Sequence, residues 1–242
     1  METSPQAYAR FGGLLYLVII FAGAIGELFV RGKLVVAGDA AQTAGRIMAS
    51  ESLWRLGIGG DLLMHVCDIF VMWALYVLLR PVSRNLALLN LLLNLTQTAV
   101  LTANKLTLLV PLLLLGNDAY LKTIDTAQLQ AWSYAAIELH EYGFGVGLIF
   151  FGCVCLVEGH LIRKSGFLPP LLGVLMQIAG LCYLINSVAL LLAPAFEARL
   201  FPAILMPCLV AELSLALWLL VKGVNVDRWK ERALMTRART LE

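Results

Sequence analysis

The chain has 242 residues, of which 60% are hydrophobic and only 14% are charged, and its formal net charge is +2. A soluble domain is about half apolar and about a quarter charged, so this composition excludes an ordinary water-soluble domain. The apolar residues lie in runs of about 20 or more, the length that an α-helix needs to cross a bilayer. Phosphate-binding loops, zinc-finger spacings and nucleic-acid modules are absent from the sequence, so no nucleic-acid partner is expected.

Six apolar segments predict an all-α, six-helix transmembrane bundle. The second segment stops at Arg80-Pro81, because proline cannot continue a helix, and the fifth starts at Pro169-Pro170, because a first turn tolerates proline. The chain is accordingly divided into an N-terminus (1–10), one transmembrane domain (11–222) and a basic tail (223–242). The predicted spans cover about residues 11–30, 57–79, 86–115, 127–162, 168–194 and 201–221.

The distribution of lysine and arginine predicts the orientation of the chain. With six spans, both termini lie on one side, together with Arg80, Arg84, Arg163 and Lys164. Positively charged loops stay in the cytoplasm, so both termini are expected there. The basic tail is expected to fray or to lie on anionic lipid, and its last residues, Leu241-Glu242, look like a remnant of an expression vector.

The loop between the first two spans carries a helical pattern of its own. Ala44, Ile47 and Met48 recur at helical spacing after Asp39, a residue type that often begins helices. We therefore expect an interfacial helix in this first external loop, lying over the bundle and anchored at the membrane surface by Trp54. An ordered loop without a helix is the alternative.

Two histidines lie inside apolar stretches and have acidic neighbours. Ionisable side chains are costly in hydrocarbon, so they usually face a bundle interior or a wet cavity and mark function. Asp61, His65 and Asp68 are spaced i, i+4 and i+7, which places them on one helical face, and Glu141 follows His140. The candidate catalytic residues are His65, Asp68, His140 and Glu141.

Polar residues of other spans are expected at a similar depth, in the outer half of the bundle, if each residue advances by about 1.5 Å. Lys105 then needs a carboxylate partner, for which Asp68, Glu141 and Glu212 are available, or a path to snorkel outward. Glu27 and Arg31 form either a surface ion pair or a clamp for an anionic head group. The predicted ligand-binding residues are Glu27, Arg31, Asn104, Lys105, Asn186 and Glu212.

Three further patterns favour packing over chemistry. The third span carries a polar stripe at three- and four-residue steps, which predicts hydrogen bonds between helices. Gly143 and Gly147 form a GxxxG pattern, which permits close helix approach. Glu158 and His160 are expected as a pair near the cytoplasmic surface. The stripe consists of Asn90, Asn94, Gln97, Thr98, Leu101, Thr102 and Lys105.

The histidine and carboxylate side chains leave the cofactor open. Imidazole and carboxylate groups are ligands of divalent metals, and two histidines on separate helices also suit haem b. A proton relay or a purely structural role would use the same residue types without any cofactor. The HExxH motif, which would indicate zinc strongly, is absent. The candidate metal ligands are Asp61, His65, Asp68, His140 and Glu141.

Several segments resemble a bacterial six-helix membrane family known as domain of unknown function 4386. They are Tyr8-Ala9-Arg10-Phe11-Gly12-Gly13, Ala44-Gly45-Arg46-Ile47-Met48, and Glu158-Gly159-His160-Leu161-Ile162-Arg163. The resemblance extends over nearly the whole chain. It implies the six-span architecture and a bacterial inner membrane, and it implies no catalytic residue.

These patterns lead to three functional hypotheses. The first is an intramembrane site, open towards the outer leaflet, that binds or chemically changes a lipid-like or small hydrophobic ligand. The second is a small proton-coupled transporter, which helices broken at mid-membrane would favour. The third is a non-catalytic assembly partner whose polar groups serve only helix packing.

Overall fold

The computed structural model describes residues 4–116 and 118–240, and for 237–240 it describes the backbone alone. The predicted vector remnant, Leu241-Glu242, lies outside the described residues. Those residues contain helices and no strand, and six helices are long and apolar enough to cross a membrane. The all-α, six-span prediction is confirmed, and these helices indicate a multi-pass membrane protein. The spans are Pro5–Leu34, Glu51–Leu79, Arg84–Leu114, Thr126–Ser165, Pro170–Leu192 and Ala203–Val221, numbered 1 to 6 below.

The helices extend beyond the apolar runs that predicted them. Span 2 begins at Glu51 and span 4 continues to Ser165, because polar residues prolong a helix that a neighbouring apolar segment already stabilises. Two other boundaries lie at prolines, as predicted. Span 2 ends at Leu79, shortly before Pro81, and span 5 starts with Pro170 in its first turn. Shorter helices connect the spans at Ala119–Thr123 and Pro194–Leu200.

The chain forms two compact units. Unit 1 consists of Met1–Val18, Cys67–Thr98 and Gly145–Glu242, and unit 2 of Ile19–Val66 and Ala99–Phe144. In both units large apolar side chains are exposed, such as Leu171 at 66% and Leu113 at 57%. Exposed leucine is typical of a surface that faces lipid. Polar groups in the interior are therefore the ones that indicate a functional site.

Glycines bring spans 4 and 5 into backbone contact in unit 1. Gly152 faces Gly180 and Gly159 faces Gly173, so the antiparallel helices cross at two glycine pairs spaced seven residues apart. A Cβ atom on Gly159 would lie only 2.5 Å from the Gly173 carbonyl oxygen. Such small-residue crossings let van der Waals packing and weak Cα–H hydrogen bonds hold helices together where lipid provides no hydrophobic driving force.

The predicted loop helix is present in unit 2, at Ala40–Ala49. The Asp39 carboxylate caps it by accepting a 2.8 Å hydrogen bond from the Gln42 N–H. Its buried face presents Ala44 and Ile47 to the interior, as predicted. Trp54, however, is not an anchor at the membrane surface. It is 1% exposed and packs in the hydrophobic core of this unit.

The basic tail forms a helix, Val226–Thr240, that packs in unit 1. Trp229 Nε1 donates a 2.9 Å hydrogen bond to the Leu78 carbonyl, and Thr236 Oγ1 donates one of 2.7 Å to the Pro81 carbonyl. These carbonyls lie at the C-terminal end of span 2 and just after it, where the carbonyl oxygens have no N–H donors within the helix. The tail therefore caps span 2, and the expected fraying is wrong for Val226–Thr236.

Candidate functional site

A buried ion cluster joins spans 1, 2 and 3 in unit 2. The Asp61 carboxylate is completely buried, and its Oδ2 atom accepts hydrogen bonds from Arg31 Nη1 at 2.7 Å and from Lys105 Nζ at 3.0 Å. Arg31 also binds Glu27 through Nε at 2.8 Å, although the Glu27 side chain is 65% exposed. A buried charge is costly unless it is paired and hydrogen-bonded, so Asp61 is the counter-ion on which both cations depend.

Span 1 changes its helical geometry where it meets this cluster. Residues Gly26–Arg31 form a π-helix, in which the Gly32 N–H bonds to the Glu27 carbonyl. A Cβ atom at Gly26 would lie 3.0 Å from Asp61 Oδ1, so glycine makes room for the carboxylate. Single π-turns within α-helices occur frequently at functional sites.

Span 3 is also interrupted at the cluster. Lys105 begins a 3₁₀ segment, Lys105–Leu109, and the α-helix resumes with Pro111 in its first turn. Pro111 has no N–H and cannot continue the regular helical pattern, which explains the interruption. Instead, the Leu108 carbonyl oxygen accepts a 2.8 Å hydrogen bond from the indole N–H of Trp54. Trp54 thus fixes the segment from which the Lys105 side chain extends.

His140 of span 4 is held by Asn104 and Lys105. Lys105 Nζ lies 3.4 Å from His140 Nε2, and His140 Nδ1 lies 3.3 Å from the Asn104 carbonyl oxygen. Asn104 Nδ2 also lies 3.0 Å from His140 Nδ1, and the amide N–H and the Lys105 ammonium can only donate, so both ring nitrogens face donors and these contacts are compatible with either tautomer. Asn104 Nδ2 completes the arrangement by donating a 2.8 Å hydrogen bond to the His140 carbonyl.

Two buried polar atoms beside the cluster have no hydrogen-bond partner among the described residues. They are Asp61 Oδ1 and His65 Nε2, on residues that are 1% and 3% exposed. The two side chains are four residues apart in one helix, so their Cβ atoms lie about 5–6 Å apart on the same face. Buried polar groups almost always have a partner, whether protein, water or ligand. This pair is therefore the position in unit 2 at which a bound polar group would complete the hydrogen bonding.

The surroundings of the two histidines do not resemble a metal site, and those of His140 do not suit axial ligation of haem. Within the described part of the chain, no three histidine, cysteine, aspartate or glutamate side chains come together as a ligand set. The Lys105 ammonium lies between Asp61 and His140, where a metal cation would have to lie. An axial haem ligand would need a free ring nitrogen, and Lys105 and Asn104 already contact both nitrogens of His140.

Unit 1 contains separate polar residues. Asp68 accepts a 2.5 Å hydrogen bond from Thr98 Oγ1 and one of 3.5 Å from Asn94 Nδ2. Glu212 accepts a short hydrogen bond from the Tyr183 hydroxyl. Polar residues of the stripe in span 3 are buried here and bonded to neighbouring side chains, as the packing interpretation predicted.

Glu158 differs from its predicted position at the surface. It is 1% exposed, and neither of its carboxylate oxygens has a hydrogen-bond partner among the described residues, whereas His160 is exposed. Asn186 of span 5 is also buried, and its Oδ1 atom is likewise without a described partner. Hydropathy predicts which residues belong to a span, but it does not predict which side of that helix faces the interior of the protein.

The structure divides the predicted site residues between the two units. Unit 2 contains the following predicted residues: Glu27, Arg31, Asp61, His65, Asn104, Lys105, His140 and Glu141. Asp68, Asn186 and Glu212 belong to unit 1, and Glu141 is exposed. The partner of Lys105 is Asp61, which was not among the three carboxylates suggested for it. Trp54 contributes to the site although the sequence predicted it at the membrane surface. Pro111 is the sequence signal from which the break in span 3 could have been predicted.

Comparisons with known proteins agree with this architecture. A family model described as "Domain of unknown function (DUF4386)" matches residues 11–223. An uncharacterised protein of Archaeoglobus fulgidus is 30% identical over 166 residues, which cover 69% of this chain and 83% of that protein. No solved structure matches the chain. The residues that the family model matches include the whole ion cluster of unit 2.

Proposed function

This chain belongs to the family of domain of unknown function 4386, and we propose that it binds a hydroxyl-bearing ligand inside the membrane, at Asp61 and His65. The observation that carries the proposal is the pair of buried atoms without partners, Asp61 Oδ1 and His65 Nε2. A carboxylate oxygen only accepts hydrogen bonds, so the ligand must donate one. A hydroxyl group can donate to Asp61 and at the same time accept from His65.

The charges around this position narrow the ligand class further. Arg31 and Lys105 contribute two positive charges, and Asp61 and the partly exposed Glu27 contribute two negative charges. Because these charges balance, a neutral ligand is favoured over a charged one, which would bring an unpaired charge into the buried cluster. Lys105 also interacts electrostatically with both His65 and His140, so the two rings share one electrostatic environment. A lipid-like or small hydrophobic molecule with a hydroxylated polar end fits these requirements.

Exchange of His65 for leucine tests the proposal. The purified protein in mild detergent should retain such a molecule, detected by native mass spectrometry and by extraction, and His65→Leu should lose it. The variant should still fold, because His65 Nε2 has no hydrogen-bond partner among the described residues, and replacing such a buried polar group by an apolar one costs little.

The exposed His160 provides the matched control, since His160→Leu makes the same change in another span. This control should retain the molecule. The proposal fails if the native protein carries no hydroxyl-bearing molecule, which would indicate bridging water, or if His65→Leu retains it at the same occupancy.

We infer a second candidate function, transport of the same ligand, from the interrupted helices. The π-helix of span 1 and the 3₁₀ segment of span 3 both lie at the ion cluster, and broken helices are common at transporter binding sites. Once the ligand is identified, its uptake into proteoliposomes with and without a pH gradient decides between the two functions. Flux that His65→Leu abolishes supports transport, and binding without flux leaves the binding function alone.

We further infer that the protein lies in a bacterial inner membrane with both termini in the cytoplasm, and that Glu27 and Arg31 face the outer side. The excess of lysine and arginine in the loops and the basic tail on the side of the termini supports the orientation, and the family resemblance supports the bacterial inner membrane. A C-terminal reporter that is active only in the cytoplasm should therefore be active, and an inactive one reverses the assignment.

A further inference from the structure

A cleft of about 450 Å³ lies at one end of spans 4, 5 and 6 in unit 1. One wall is the turn between spans 4 and 5, which includes Gly166 and Pro170, and the other is the turn that follows span 6. The residues that determine its chemistry are Pro169, Pro170, Trp218, Lys222, Asn225 and Arg228. None of them belongs to the ion cluster of unit 2, so this cleft is independent of the proposed ligand site.

Hydrogen bonds hold the two walls of the cleft in place. The Asn225 N–H donates to the Phe167 carbonyl at 3.1 Å, and Arg228 Nη1 donates to the Gly166 carbonyl, also at 3.1 Å. Gln6 of span 1 binds the turn after span 6 through the Lys222 carbonyl at 2.9 Å. Gly166 and Gly223 have φ angles of +75° and +69°, a conformation that favours glycine, so both turns are tightly defined. The cleft is therefore preformed.

The charge of the cleft is positive. Lys222 and Arg228 are exposed and line it, and no carboxylate is among its lining residues in the described part of the chain. Arg228 uses one Nη1 hydrogen bond to hold the wall, and its guanidinium keeps further N–H donors. Arginine and lysine are the side chains that proteins use to bind phosphate.

The position of the cleft distinguishes a lipid phosphate from a free one. Three apolar spans end here, and such ends lie at the level of the lipid headgroups. Trp218 lines the cleft and is 36% exposed, and Leu171 and Val221, each next to a lining residue in the chain, are 66% and 63% exposed. Amphipathic rings such as tryptophan concentrate at the membrane interface. A free phosphate ion would gain nothing from these apolar side chains, whereas acyl chains would pack along them.

We propose that this cleft is a binding site for the phosphate headgroup of an anionic phospholipid. Lys222 and Arg228 bind the phosphate, and the acyl chains lie against Trp218 and Leu171. The predicted orientation places the cleft on the cytoplasmic side, where anionic lipids attract basic residues.

The affinity of the protein for phosphatidylglycerol tests whether the cleft binds an anionic headgroup. Full-length protein in mild detergent is titrated with phosphatidylglycerol, phosphatidylcholine or inorganic phosphate, and binding is followed by native mass spectrometry and by thermal stabilisation. We expect stabilisation by phosphatidylglycerol alone. Lys222→Gln should weaken that binding about fivefold, the contribution of one basic residue near anionic lipid, and Lys222→Glu should weaken it more.

Lys230→Gln is the matched control, because Lys230 is exposed, lies eight residues after Lys222, in the tail helix that contains Arg228, and is not among the lining residues of the cleft. Its affinity should stay within about twofold of the native protein. Equal losses in Lys222→Gln and Lys230→Gln would overturn the proposal in favour of diffuse attraction. Equal binding of phosphatidylcholine, or displacement of the lipid by inorganic phosphate, would overturn it as well.

Discussion

Replacing Asp61 by asparagine should lower the free energy of unfolding by about 3–5 kcal/mol, the usual cost of removing one partner from a buried ion pair. Asp61 is the buried acceptor for both Arg31 and Lys105, and the Lys105 side chain is only 4% exposed. Without the carboxylate, Lys105 keeps its charge in a desolvated position with no counter-ion beside it. Chemical unfolding in detergent, followed by circular dichroism, measures the loss.

Two further variants establish that charge balance is the cause. The double variant Asp61→Asn with Lys105→Gln removes both charges and should recover more than half of the lost stability. Glu51→Gln is the matched control, because it breaks a 2.7 Å ion pair with Arg55 in the same span where both side chains are about half exposed. Exposed pairs contribute at most about 1 kcal/mol. If Asp61→Asn costs no more than Glu51→Gln, the cluster is hydrated and the buried-pair description is wrong.

Adding one methyl group to Gly173 should also be strongly destabilising. The new Cβ atom would overlap the Gly159 carbonyl oxygen and lie 2.6 Å from Arg163 Cγ. Backbone atoms cannot rotate away as a side chain can, so spans 4 and 5 must separate. Overpacking of this kind costs about 1–3 kcal/mol, and Gly159→Ala combined with Gly173→Ala should cost more than either change alone. Thermal unfolding in detergent detects the shift.

A substitution at Gly45 should have the opposite effect on stability. It lies in the loop helix, and a Cβ atom there would have no heavy atom within 4 Å. Gly45→Ala should therefore stabilise the protein by about 0.4–1 kcal/mol, because alanine restricts the unfolded chain and fits the helix. Equal effects at Gly45 and Gly173 would mean that the crossing of spans 4 and 5 is looser than the structure describes.

The spans and the loop helix could be predicted because their signals are local. An apolar run of sufficient length must be helical in lipid, where every backbone polar group needs an internal partner. Asp39 at the start of the loop helix and Pro81 after span 2 are cues of the same kind, since each acts on its own neighbours in the chain. The resemblance to the family could likewise be recognised from short segments of the sequence.

The composition of the site could be predicted only in part. Glu27, Arg31, Lys105 and both histidines were recognised because charges in apolar segments are rare. The pairing of Glu27 with Arg31 was also among the predictions. Asp61 was not recognised as the partner of Arg31 and Lys105, because a rise of about 1.5 Å per residue assumes regular helices, and Arg31 and Lys105 lie in the π-helical and 3₁₀ segments of their spans. Depth alone therefore could not select Asp61 over Asp68 as the partner of Lys105.

The glycine crossing shows the same limit. The GxxxG pattern at Gly143 predicted a close helix approach, yet Gly143 makes room for the Asn104 side chain. Close backbone contacts between spans 4 and 5 come instead from glycines spaced seven residues apart, at Gly152 and Gly159 in one span and at Gly173 and Gly180 in the next. A spacing within one helix acquires this meaning only when the facing helix is known.

The composition of the two units also has a consequence for the order of synthesis. Unit 2 contains no residue beyond Phe144, so all parts of the ion cluster have been made before spans 5 and 6 are synthesised. Unit 1 combines segments from before and after unit 2, and Gln6 must wait for its partners Lys222 and Val224. Since proteins begin to fold as they emerge, the Asp61 cluster is available to assemble early, whereas unit 1 closes only after span 6 has been made.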